Sequence, residues 1–183
     1  MKWPVLACVI ACAQFPASVL TAPQPSLYVE QDTRDIKSLS PEEIDAYLSG
    51  KGMGLAKAAE LNGYAGPSHV LELASQLGLT PEQRTATAAL FASMQKEASE
   101  LGRSLVEEER KLDRLFATKS VDDTSVSAAL DKIGAMQARL RGAHLKAHLA
   151  QARILTADQT NRYIRLRGYS TPEVQMDHGH HSH

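Results

Sequence analysis

Two long stretches of this chain repeat their apolar residues at helical steps, and that feature limits what it can fold into. Between Leu79 and Ala117 the apolar positions are Leu90, Met94, Leu101, Leu105, Leu112 and Leu115 with Phe116, steps that keep them on one side of a helix. At a rise of about 1.5 Å per residue such a helix exceeds roughly 50 Å, so it needs a partner along its length. Val126, Leu130, Ile133, Gln137, Leu140, His144, Ala147 and Gln151 carry the same period and supply that partner. A turn from Thr118 to Thr124 makes the two an antiparallel hairpin. Aromatic residues are only 5% of the chain, which favours thin helix-on-helix layers over a thick core. The expected fold class is all-α: an elongated helical hairpin with short flanking helices.

The flanking elements announce themselves by their ends. Leu39-Ser40-Pro41-Glu42-Glu43-Ile44 is a complete helix start. Ser40 accepts from a free backbone N–H, Pro41 gives up no needed donor, Glu43 reaches back, and Ile44 staples onto Leu39. The helix should reach about Leu48 before Gly50, Gly52 and Gly54 break it. Asn62-Gly63-Tyr64-Ala65-Gly66-Pro67 is turn chemistry, and a further helix is expected from Ser68 to Leu77, stopping at Gly78. A last short helix opens at Leu155-Thr156-Ala157-Asp158-Gln159 and runs to about Leu166.

With 183 residues the chain has room for one domain and its tails. Met1 to Ala13 carry one positive charge and a short apolar run, the layout of an export signal rather than a membrane span. Residues 1–22 are therefore expected to be a signal peptide that sends the chain to the periplasm, with cleavage after Ala22 or after Ala13. Val9-Ile10-Ala11-Cys12 also has the form of a lipobox, the alternative being a lipoprotein anchored through Cys12. Cys8 and Cys12 are the only cysteines, so removal of the signal leaves no thiol. Residues 23–38 should form a flexible leader, 39–169 the helical domain, and 170–183 a His-rich tail that is disordered without a ligand.

Lys and Arg number 20 against 21 Asp and Glu, which leaves no basic excess to displace phosphate counterions and argues against nucleic acid. No Gly-rich phosphate loop, HExxH, nucleophile elbow or cysteine nucleophile is present, so no enzymatic activity is expected. The run Glu107 to Arg114 is read as a solvated face, with Glu107 placed to pair with Lys111.

Leu-Thr-x-x-Gln occurs twice, as Leu79, Thr80 and Gln83 and as Leu155, Thr156 and Gln159. Thr with Gln three residues on is a capping box. The leucines need another explanation, because the staple positions hold Arg84 and Thr160; Leu79 and Leu155 should anchor separate elements to one another. With this pair of motifs around a long hairpin, with Gly52 to Tyr64, and with the signal and His-rich end, the chain resembles the Spy/CpxP group of periplasmic LTxxQ proteins and its metal-linked relatives ZraP and CnrX. The resemblance covers about Leu39 to Tyr169. It implies a curved, intertwined homodimer that holds unfolded periplasmic proteins without ATP or docks on a membrane-bound sensor or regulator. Leu90, Met94, Leu101 and Leu105 are the candidate client contacts.

His144 and His148 are spaced i,i+4 on the second long helix, which lets both imidazoles reach one ion. His144 also falls on the apolar stripe, where a hydrogen-bonded core histidine is the competing reading. His69, Glu60 and Glu72 are the other donors nearby. His178, His180, His181 and His183 form a dense tail of imidazoles suited to the same ions. No cofactor is required by this reading, but a divalent ion (Zn, Ni, Co or Cu) is possible. Two functions follow: a periplasmic ATP-independent chaperone or envelope-stress adaptor, and a heavy-metal sensor or buffer acting on a membrane-bound regulator.

Overall fold

The computed structural model describes residues 26–169, and all regular structure there is helical. The signal, the Cys12 lipobox and the tail histidines His178, His180, His181 and His183 lie outside the described residues. The elements are α1 (Pro41–Leu48), α2 (Lys57–Glu60), α3 (Pro67–Glu72), α4 (Ala74–Leu77), α5 (Pro81–Ala117), α6 (Asp123–Gln151) and α7 (Ala157–Leu166). The 37 residues of α5 extend roughly 55 Å at 1.5 Å per residue, and α6 returns along them, so the hairpin is as expected.

Each principal helix begins where its capping chemistry says it should. Ser40 with Glu43, Thr80 with Gln83, and Thr156 with Gln159 all close full capping boxes. Asp122 and Ser125 close another, which starts α6 a little earlier than its apolar stripe suggests. The helix expected over Ser68 to Leu77 is two short pieces meeting at Leu73. The second piece ends at Gly78, whose φ of +65° lets Leu79 N–H return to Ala74 and Gly78 N–H to Ser75. Leu79 is thereby the residue just past one helix as well as the residue before the next.

Three apolar clusters hold these parts together. Ala98, Leu101, Leu105, Ile133, Leu140 and Ala143 pack between α5 and α6, with Met94 and Tyr47 against them. Leu155 and Leu79 meet Ala65, Val70, Leu77 and Tyr163, tying α3, α4 and α7 to the open end of the hairpin. Ile36, Leu39 and Val106 form the third, joined by Ile44. Packing thus starts before Leu39, where the leader was expected to end: Ile36 is fully buried, and Asp35 and Lys37 pair with Arg110 and Asp113 of α5. The Glu107 to Arg114 run is accordingly less solvated than expected. Lys111 pairs with Glu108 at 2.6 Å rather than with Glu107, which instead receives Arg110 and Arg114.

Candidate metal pocket

The two LTxxQ glutamines meet. Gln83 Nε2 donates to Gln159 Oε1 at 2.8 Å, and Gln159 Nε2 donates back to Gln83 Oε1 at 2.9 Å. Each amide oxygen also accepts the backbone N–H of its own cap residue, Thr80 or Thr156. Gln83 further donates to the Ile154 carbonyl at 2.8 Å and Gln159 to that of Gly78 at 3.4 Å. The amide groups are therefore saturated by structural bonds, and the motif is a fastening between helix starts. Leu101 and Leu105 are 7% and 1% exposed in the α5–α6 core, while Leu90 and Met94 are half-buried.

Donor chemistry gathers elsewhere, in a cavity of about 450 Å³ between α6, the Gly50 to Gly54 loop and the α2–α3 segment. Its lining includes Glu60, His69, Met94, His144 and His148. The loop turns sharply there, and Met53 takes a φ of +45°, which a side-chain-bearing residue rarely adopts. His144 is only 4% exposed, and its Nε2 is buried without a hydrogen-bond partner. Burial first, and the neighbouring His148 second, hold His144 below the usual histidine pKa, which favours its neutral form with a free lone pair. The competing expectation of a hydrogen-bonded core histidine does not describe this Nε2.

His148 is placed differently. Its Nδ1 lies 2.7 Å from the Tyr64 carbonyl oxygen, and since a carbonyl can only accept, Nδ1 carries a proton; in the neutral ring the lone pair is then on Nε2. That fixes the tautomer in the manner of metal-ligating histidines, whose other ring nitrogen is tied to an acceptor. Glu60 approaches the same Nδ1 side, with Oε2 at 3.8 Å. Its Oε1 accepts from Tyr163 Oη at 2.6 Å and Tyr169 Oη at 3.1 Å. His69 is engaged by Glu72 at 3.0 Å on the cavity rim.

Among the described residues no three His, Cys, Asp or Glu side chains converge closely enough to complete a metal site. The donors that fit an ion are the two imidazoles: one neutral by burial, one with its tautomer set. Both positions had been singled out by their i,i+4 spacing. It named Glu60 only as a nearby carboxylate, and nothing in the sequence pointed to the Tyr64 carbonyl or to Tyr163 and Tyr169, whose roles depend on packing across about a hundred residues.

No curated protein and no solved structure matches the chain. A family model described as heavy-metal resistance does, over residues 54–162. That span is more than half of the chain, and it takes in Glu60, both histidines and both glutamines that fasten the helix starts. The long hairpin, its paired caps and the histidine pocket are thus the body of the matched region, and the chain belongs to the heavy-metal resistance family, within the Spy/CpxP-like helical proteins.

Proposed function

We propose that this protein binds a divalent heavy-metal ion (zinc, nickel, cobalt or copper) between His144 and His148 and serves as a periplasmic metal sensor or buffer for a membrane-bound regulator. The observation that carries the reading is the buried, unpartnered Nε2 of His144, one turn of α6 from a histidine whose tautomer is already set. An orphaned buried polar atom costs roughly 1–3 kcal/mol, a cost that a ligand-binding role explains and a packing role does not. Membership of the heavy-metal resistance family supports the same direction. Two imidazoles supply half of a tetrahedral set, leaving the other positions to water or to the tail imidazoles His178, His180, His181 and His183. The ion would be bound cargo or signal, and the reading assigns the chain no catalysis.

Competitive titration of metal-free protein, lacking residues 1–22, against a chelator tests it. The His144→Ala, His148→Ala double variant should lose a sub-micromolar site. An unchanged titration would remove the pair from the reading.

A second reading rests on Phe116, Leu130 and Leu149, large apolar side chains exposed along the hairpin. They suit weak capture of unfolded periplasmic proteins without nucleotide, or coverage by a second copy of the chain. Light scattering of an aggregating client separates this from metal binding: suppression by metal-free protein supports capture, and no suppression at molar excess sinks it.

A further inference from the structure

Glu60 divides its two carboxylate oxygens between different tasks. Oε1 takes Tyr163 Oη at 2.6 Å and Tyr169 Oη at 3.1 Å, with Arg167 Nε 3.3 Å away, while Oε2 is buried and has no hydrogen-bond partner. Tyr163 is wholly buried in α7, and burial, reinforced by the Glu60 carboxylate, raises its pKa so that it remains a donor. Arg167 and Tyr169 are brought back toward Glu60 by the end of α7. Gly168, at φ +73°, returns Tyr169 N–H to Ile164 and its own N–H to Arg165, a closing geometry that reverses the chain. Arg167 also lies over the Tyr169 ring at 5.8 Å and donates to its hydroxyl at 3.4 Å.

The bare oxygen lies on one particular side of His148. Oε2 is 3.8 Å from Nδ1, beyond hydrogen-bond reach, and the Nδ1 proton goes to Tyr64, so the carboxylate meets the imidazole as an unbonded charge. The Tyr64 carbonyl fixes the ring, and a negative charge this close to it favours a cation on the other ring nitrogen, Nε2. We propose that Glu60 acts on the pocket through its charge beside His148, and that Tyr163, Arg167 and Tyr169 are positioning residues that hold Glu60 in that place. The proposal rests on the metal reading above and adds to it that the α7 end sets the pocket's affinity, from residues that carry none of the ligands.

The test uses cobalt(II) alone as probe, because its visible absorption reports the ligand set while a chelator competition reports affinity. Wild-type protein is compared with Glu60→Gln, Tyr163→Phe, Tyr169→Phe and the control Asp131→Asn, an exposed carboxylate of α6 outside the cavity. The expected result for Glu60→Gln is an affinity loss of about 10-fold, the low end of the range for outer-shell partners of metal-bound histidines, with the cobalt band positions unchanged. Tyr163→Phe and Tyr169→Phe should each weaken binding in the same direction, again without moving the bands, and Asp131→Asn should do neither. Should Tyr163→Phe fail to fold, the half-buried end of the clamp, Tyr169→Phe, carries the comparison.

A shifted cobalt spectrum in Glu60→Gln would make Glu60 a ligand and overturn the proposal. Affinities within twofold of wild type in Glu60→Gln and Tyr169→Phe would also overturn it, while leaving the histidine pair intact. Absence of cobalt binding by wild-type protein would remove the metal reading itself and this proposal with it.

Discussion

The backbone carbonyl of Tyr47, near the end of α1, occupies the place where a Cβ on Gly102 of α5 would stand. The two helices can cross this closely only because position 102 has no side chain. Gly102→Ala should therefore destabilise the fold by roughly 1–3 kcal/mol through forced separation of α1 from α5, even though alanine itself favours a helix interior by about 1 kcal/mol. Gly134→Ala, in open space on α6, provides the contrast and should be neutral or stabilising. Urea unfolding of both variants decides it; equal midpoints would show that the crossing tolerates a methyl group.

Gln83 and Gln159 should be energetically coupled. Each single change to Ala removes a capping partner and also leaves the other amide half-satisfied, so each should cost about 1–3 kcal/mol. The double variant should cost less than the sum by at least about 0.5 kcal/mol, since the second change removes a group already missing its partner. A double-mutant cycle in urea measures this, and strict additivity would mean that the reciprocal bonds contribute nothing.

Replacing His144 by Leu should stabilise the metal-free protein. The change removes a buried, unpartnered nitrogen and keeps comparable apolar volume next to the α5–α6 core, which by the usual desolvation cost is worth on the order of 1 kcal/mol, or about 2–4 °C in melting temperature. The same variant should lose the metal site. A lower melting temperature without metal would mean that His144 is there for packing.

Acid should weaken the metal-free protein in a window set by His144. Its folded pKa lies below the ordinary 6.5, so between those values the unfolded chain binds a proton that the folded chain does not. The contribution to stability is complete above about pH 6.5 and is lost as pH falls below it. Stability measured from pH 8 to pH 5 should fall in wild type across that window, and His144→Leu should flatten this part of the profile. Parallel curves would assign the loss to other groups.

Much of the fold was legible because its signals are local. Ser40 with Glu43 and Thr80 with Gln83 state where helices begin within four residues, and the α5 and α6 stripes state which faces meet. The histidine pair was equally legible, because i,i+4 spacing on a helix is a local fact. Burial of Ile36 was not, since the leader carries no period and its partner Val106 is seventy residues away. Gly102 was passed over inside a long helical pattern, where a glycine usually marks only weak propensity; its meaning lies in the Tyr47 carbonyl. The hold on Glu60 escaped for the same reason, as Tyr163 and Tyr169 are 103 and 109 residues distant in sequence.

The reciprocal amide pair also closes a ring. Gln83 and Gln159 stand 76 residues apart, and between them the chain runs out along α5, turns, and comes back along α6. Joining the two ends restrains the hairpin where its helices are not covalently connected, much as a disulfide would, and a restraint on so long a loop limits splaying at the open end. The segment it restrains contains no cysteine, so this staple owes nothing to redox conditions. It forms and breaks with the helix caps themselves, which ties the integrity of the hairpin's open end to two threonines and two glutamines rather than to the oxidising power of the surroundings.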